Sequence, residues 1–203
     1  ENLGGQLGIV IESEKRESAL REREHRIESM YEIAIALGSS LDLAEQLRLL
    51  FLQIRRVMPA DAGNVWVADS ETFTGEAEVY YSYDTQEDGT LVESTQRAKG
   101  QASPGTSIYR VFLTGEPYLN LRSEEEMQEL DKRSDTHFGL ERRSRSLLYV
   151  PLKVKGRVIA VLTVQSYLGY AFSQETVDVL MSLSAPMAVV IENARLFEAV
   201  EQR

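Results

Sequence analysis

The sequence predicts an α+β domain, and three observations carry that reading. Helix-period stretches lie towards both ends of the chain, strand-period stretches lie between them, and one late hairpin is apolar on both faces. In that hairpin Leu148, Val150 and Leu152 oppose Leu147 and Tyr149, while Val158, Ala160, Leu162 and Val164 oppose Ile159 and Val161. A strand that is apolar on both faces is covered on both faces. The hairpin therefore belongs at the centre of the sheet, with helices on one side and loops or a pocket on the other.

Residues 12–37 carry a helical pattern. Leu20, Ile27, Ala34 and Leu41 fall seven apart, and Met30 and Leu37 take the intervening positions. Ten of the fifteen residues from Glu14 to Glu28 are charged, which leaves too little apolar surface for deep packing. Glu12/Arg16, Glu17/Arg21 and Glu22/Arg26 are i,i+4 pairs in the better orientation. The pattern predicts a connecting helix that pairs with its own copy as a short coiled coil, or else a solvated flank. Gly38-Ser39-Ser40 breaks it, and Asp42 with Glu45 suggests a capping box for a second helix that Pro59 closes.

Strand signatures follow at residues 64–67 and 78–83, parted by a turn at Gly75, with a weaker strand at 91–96. Gly105-Thr106-Ser107 opens a short helix that Gly115 ends, and residues 117–120 form a short strand. Residues 123–145 hold 12 charges in 23 positions, so a short helix around Met127 and Leu130 inside a mobile loop is expected. Lys155-Gly156 turns the central hairpin. Ser173 caps a closing helix, where Leu183, Met187, Val190, Ala194 and Phe197 share a stripe.

Residues 3–13 echo residues 183–193 at a constant offset of 180, with four identities in eleven. The closing helix of a related, preceding domain is thus expected at the start, which also explains Gly4-Gly5 and Gly8 as helix packing and not a phosphate loop. The domains are accordingly 1–37, a connecting helix, and 38–203, a globular domain with its own exit helix. Because the last helix runs out without a stop signal, a longer protein is expected around this segment.

Composition narrows the chemistry. The formal charge is -10, which disfavours nucleic acid. No apolar run approaches the roughly 20 residues of a membrane span, and no secretory signal opens the chain, so no membrane contact and a cytoplasmic location are expected. There is no cysteine, hence no disulfide, thiolate metal site, thiol nucleophile or thioether-linked cofactor. Asp135 and His137 lack a third metal ligand, and no G-x-S-x-G elbow accompanies His137. Glu124-Glu125-Glu126 reads as a solvated helix face. No catalytic residue, metal or cofactor is predicted.

Several stretches, taken in order, resemble the GAF-domain family of small-molecule sensory modules. They are Met30-Tyr31-Glu32-Ile33-Ala34-Ile35-Ala36-Leu37-Gly38-Ser39-Ser40-Leu41-Asp42, then Met58-Pro59-Ala60-Asp61-Ala62, then Gly105-Thr106-Ser107 with Leu113-Thr114-Gly115-Glu116-Pro117-Tyr118. Leu147-Leu148-Tyr149-Val150-Pro151-Leu152, Gly156-Arg157-Val158-Ile159-Ala160-Val161-Leu162 and Ala171-Phe172-Ser173 complete the set. The resemblance implies an antiparallel sheet of five or six strands with terminal helices on one face and a ligand pocket on the other. It also implies a homodimer through the terminal helices and neighbouring domains in the same chain, such as a histidine kinase or a cyclic-dinucleotide enzyme. Bilin-carrying and methionine-sulfoxide-reducing members use cysteine, which is absent here, and the Asn-Lys-Phe-Asp-Glu signature of cyclic-nucleotide-binding members is also missing.

What remains is a small molecule bound without a covalent link, or a ligand-free dimerisation and relay module. The candidate walls are the sheet face, the helix after Gly105 and the loop 121–146. Thr106 and Ser107 offer hydroxyls and first-turn N–H groups to an anion. Trp66, Tyr109, Arg110, His137 and Tyr149 are the remaining candidate ligand-binding residues.

Overall fold

The computed structural model describes residues 16–18, 21, 43–70, 73–131 and 142–201. The chain divides into two units, residues 1–40 and 41–203, and nearly all described residues lie in the second. The expected coiled-coil seam, the echo segment, the break at 38–40, Asp42 and both histidines lie outside the described residues. Of the charged pairs expected on the connecting helix, Arg21 and Glu17 are in contact.

The second unit opens with α1 (Leu43–Val57), followed by β1 (Ala62–Ala68), β2 (Glu76–Thr85), β3 (Leu91–Ser94) and β4 (Ala98–Gln101). Then come α2 (Ser107–Thr114), β5 (Tyr118–Leu121), α3 (Glu124–Asp131), β6 (Ser146–Val154), β7 (Arg157–Ser166), α4 (Gln174–Ser182) and α5 (Ser184–Glu201). The strands form one sheet in the order β3-β2-β1-β7-β6-β5, every pair antiparallel. β4 shares the edge of the long β2 with β3. This seventh strand goes beyond the expected five or six. Its Ala98-Lys99-Gly100 stretch has no β-branched or aromatic residue to announce it.

Cross-strand registers sort the side chains into rows. On the helix side, Tyr81, Val65, Leu162 and Val150 are successive partners, as are Tyr83, Gly63, Val164 and Leu148. Helices α1, α4 and α5 pack on this side. Leu47, Leu50, Phe51 and Ile54 of α1 are buried at helical spacing, as the sequence pattern requires. The Phe51 ring stacks on Tyr81 at 5.3 Å and tilts against Tyr83 at 5.0 Å. Gly63 makes that contact possible. A Cβ at this position would lie 2.7 Å from both the Phe51 and the Tyr83 rings and 2.9 Å from the Thr163 carbonyl oxygen.

The pairing of β1 with β2 slips once, so that Val65 faces Tyr81 while Trp66 faces Val79. Tyr80 is the extra residue of this bulge. Sequence alternation alone does not reveal such a slip, and it resets which residues share a face beyond it.

The late hairpin matches its expected place, with β7 beside β1 and the turn at Lys155 (φ 50°) and Gly156 (φ 82°). The closing helix departs from expectation. It breaks at Leu183 into α4 and α5, bent by 42°. Pro186 has no N–H for the Ser182 carbonyl and its ring crowds that group, so the helix restarts. The expected stripe is also only partly right. Leu183, Met187 and Ile191 are buried, whereas Phe197 is 64% exposed. Among the described residues no single helix is long and apolar enough to cross a membrane.

Candidate functional site

The other face of the sheet is split in character. Val79, Trp66 and Val161 form an apolar row continued by Pro151. Val111 and Phe112 of α2 cover it, with Phe73 stacked on Phe112 at 4.2 Å. The next row runs Ser82, Asn64, Thr163, Tyr149 and Tyr118, and the one beyond runs Asp84, Ala62, Gln165 and Leu147. These two rows floor a cleft of about 410 Å³, to whose wall α2 contributes Ile108. That volume suits a small molecule.

The local sequence sets both ends of α2. Thr106 caps α2, its Oγ1 accepting from Tyr109 N at 3.3 Å and donating to the Ser103 carbonyl at 2.8 Å. Gly115 ends the helix in a left-handed conformation after only eight residues.

The cleft floor is polar and internally satisfied. Thr163 Oγ1 donates to Asn64 Oδ1 at 2.6 Å, which leaves the Asn64 amide NH₂ as a donor on the cleft wall. Ser144 Oγ donates to Gln165 Oε1 at 2.8 Å. Tyr149 is buried, and burial pushes its phenol pKa up, while a hydrogen bond with the Ser107 side chain works against the shift. Trp66 lies against β4, where a Cβ on Gly100 would come within 2.5 Å of the indole.

The rim carries the charge. Asp61 accepts from Ser166 Oγ at 2.7 Å and from Tyr167 N at 2.8 Å, which fixes the chain end of β7. Tyr167 then donates its hydroxyl to Asp84, and its own pKa is raised, chiefly by burial and then by that carboxylate. Glu93 accepts from the Tyr81 hydroxyl at 2.5 Å and from Arg48 Nε at 3.3 Å. Arg122, Arg142 and Arg143 line the cleft as well. Arg122 donates to the Ser144 carbonyl at 2.7 Å, and burial lowers its pKa, with the Arg143 charge adding to the effect. Arg142 stacks over the Tyr167 ring at 4.2 Å.

The residues expected to bind ligand fall into separate places. Trp66 and Tyr149 line the cleft. Thr106, Ser107, Tyr109 and Arg110 surround a distinct depression of about 210 Å³ on the outer side of α2. There Arg110 lies over the Tyr118 ring at 4.3 Å and Tyr109 leans on Phe73 at 5.7 Å. His137 lies outside the described residues. The sequence pattern does not disclose Asn64, Ser82, Thr163 and Gln165, whose only signal is the parity of polar residues inside apolar strands. Nor does it single out the arginines, although they sit at the two ends of the loop 121–146, itself a candidate wall. Glu124, Glu125 and Glu126 are exposed on α3, whose first turn Ser123 and Glu126 close by exchanging backbone N–H bonds. Among the described residues no three metal-ligating side chains come together.

The domain is thus an antiparallel sheet with terminal helices on one face and a partly roofed cleft on the other. The GAF domain profile matches residues 40–192, and the chain belongs to the GAF domain family. No curated protein matches the sequence. Among solved structures, the GAF domain of an Acinetobacter phosphoenolpyruvate-protein phosphotransferase is similar at 19% identity and a TM-score of 0.63, covering 89% of this chain and 98% of its own. The phycoerythrobilin-bound GAF domain of a cyanobacterial phytochrome aligns at 10% identity and 0.62, covering 88% and 99%. The free methionine-R-sulfoxide reductase of Neisseria meningitidis, solved with its substrate, aligns at 18% and 0.58, covering 87% and 90%. At these identities the likeness concerns the fold. This chain has no cysteine at any position.

Proposed function

We propose that this domain is a non-catalytic sensory module of a larger signalling protein, which binds a small molecule in the cleft and passes its occupancy to the terminal helices. One observation supports it above the rest: two cross-strand rows that carry the polar side chains Ser82, Asn64, Thr163 and Gln165 floor a cleft of about 410 Å³ on the face of the sheet opposite the terminal helices. The Thr163 hydroxyl is committed to Asn64 and the Ser144 hydroxyl to Gln165, an arrangement that suits recognition more than bond breaking.

A route to the helices is also present. β3 edges the cleft through Val92, Glu93 and Ser94. Glu93 grips Arg48 of α1, and four residues on, Arg97 grips Glu198 of α5 in a two-point ion pair while lying over Tyr80 at 4.0 Å. A ligand that moves β3 thus acts on both terminal helices. For signalling, it must bind two helix arrangements with different affinity.

A thermal-shift screen of small metabolites on the wild type and on Ser82→Trp, which fills the cleft, tests the reading. Compounds that raise the wild-type midpoint and leave the variant unmoved support it. No shift with any compound, or equal shifts in both proteins, counts against it. The alternative, a ligand-free dimerisation module, draws on Val189, Leu196, Phe197 and Val200, which are exposed along α5. Light scattering at rising concentration separates the two, since Leu196→Glu abolishes a dimer formed through α5 and leaves cleft binding intact.

A further inference from the structure

The rim charges are not evenly disposed. The two acids are each answered by their own neighbours: Asp84 receives the Tyr167 hydroxyl, and Glu93 receives the Tyr81 hydroxyl and the Arg48 guanidinium. The three arginines come from two segments some 20 positions apart, one just after β5 and the other just before β6. They converge because Arg122 N donates to the Arg145 carbonyl at 2.9 Å, joining the two segments. Arg122 is half-buried, and its hydrogen bond among the described residues goes to a backbone carbonyl, not to a carboxylate. A guanidinium has five N–H donors, so one such bond leaves most of its capacity unspent. Arg142 is engaged by the face of an aromatic ring, which leaves its edge donors for a ligand.

Burial and the nearby Arg143 both disfavour the charged Arg122, and an anion seated between them would offset both. The cleft also has apolar walls: Trp66 and Ile108 line it, and Leu147 lies on its floor beside the segment that carries Arg122.

We propose that the cleft takes a small organic anion, its carboxylate or phosphoryl head between Arg122, Arg142 and Arg143 and its apolar body against Trp66 and Leu147. This rests on the cleft being the ligand site. The Asn64 amide NH₂, on the floor in the row between those of Trp66 and Leu147, is placed to donate to a polar group on the body. A cationic ligand is disfavoured, because it would meet the arginines while the two carboxylates are already occupied.

Trp66 is the single tryptophan of the chain, so its emission reports on the cleft without labelling. The test is a fluorescence titration with benzoate, phenyl phosphate, inorganic phosphate and the neutral isostere benzamide. Benzoate or phenyl phosphate is expected to shift the emission saturably, more weakly at high salt, with benzamide at least roughly tenfold weaker. Arg143→Gln and Arg122→Gln are each expected to weaken binding roughly tenfold or more, and Arg56→Gln on the exposed side of α1 to leave it unchanged. Arg143→Gln is the safer variant, since Arg122 also holds the Ser144 carbonyl. Preference for benzoate or for phenyl phosphate then names the head group.

Benzamide binding as well as benzoate, or arginine variants binding as well as the wild type, overturns the anion and leaves the cleft a ligand site. The anion is equally overturned if no probe binds while the metabolite screen finds a neutral compound blocked by Ser82→Trp. If neither the probes nor the screened metabolites bind, the sensory reading falls with it.

Discussion

Two faces of the same strands carry different duties. On β7, Leu162 and Val164 point to the helices, whereas Thr163 and Gln165 between them floor the cleft. On β1, Val65 and Gly63 meet α1's side of the sheet, whereas Asn64 and Trp66 face the cleft. Residues one position apart therefore contribute to stability or to recognition according to parity alone. The helix face is apolar and closely packed, and its polar atoms have partners at the edge: the Tyr83 hydroxyl donates to the Ala60 carbonyl at 3.3 Å, and the paired Ser146 and Ser166 donate to the Leu168 carbonyl and to Asp61. The cleft face keeps polar groups that a purely structural sheet would replace by valine.

The sharpest way to break this contrast is a large-to-small change on the helix face. Leu162→Ala is expected to cost about 2–5 kcal/mol, because a fully buried side chain leaves a cavity that the neighbours fill only in part. Chemical denaturation measures it, and cleft binding below the transition should be unchanged. Gly63→Ala is expected to cost about 1–3 kcal/mol by driving Phe51 off Tyr83, read as a lower midpoint with the same cooperativity.

The buried tyrosines give a pH signature to the same face. Tyr81 and Tyr83 are held above the ordinary value near 10, both chiefly by burial, with the bond to Glu93 adding to the effect at Tyr81. Above pH 10 the unfolded chain releases these protons while the native state keeps them. The unfolded state then binds fewer protons, so stability falls as pH rises, by about 1.4 kcal/mol per pH unit for each tyrosine. Urea midpoints between pH 9 and 11 should show the decline, and Tyr83→Phe should blunt it. The smallest effect is expected on the cleft face. Thr163→Val removes the donor to Asn64 and is expected to cost about 1 kcal/mol or less, since water in the cleft can replace it. Its larger consequence should appear in ligand affinity.

The contrast also explains what the sequence discloses. The central hairpin is legible because both strands are apolar throughout, and α2 because Thr106 and Gly115 mark its ends. Ser173 likewise announces α4 through its capping box with Thr176. The α4–α5 break has a visible cause in Pro186 that a continuous apolar stripe masks. The cleft is mostly illegible. Val79 and Ser82 of β2 share the cleft face only because of the bulge at Tyr80, and Arg122 meets Arg143 only through backbone pairing of distant segments. Trp66 and Tyr149 are legible because aromatic residues stand out in strands. Thr106, Ser107, Tyr109 and Arg110 share a helix end with anion-binding features, but that end opens on a separate, shallower depression.

A crystal structure of the protein grown with phenyl phosphate tests the central claim most directly, because the cleft and the depression at Thr106 are separate places. The expected result is density in the cleft, with the phosphoryl group between Arg122 and Arg143 and the ring against Trp66. Density confined to the depression at Thr106, with the cleft closed by the side chains of its own rim, would contradict it.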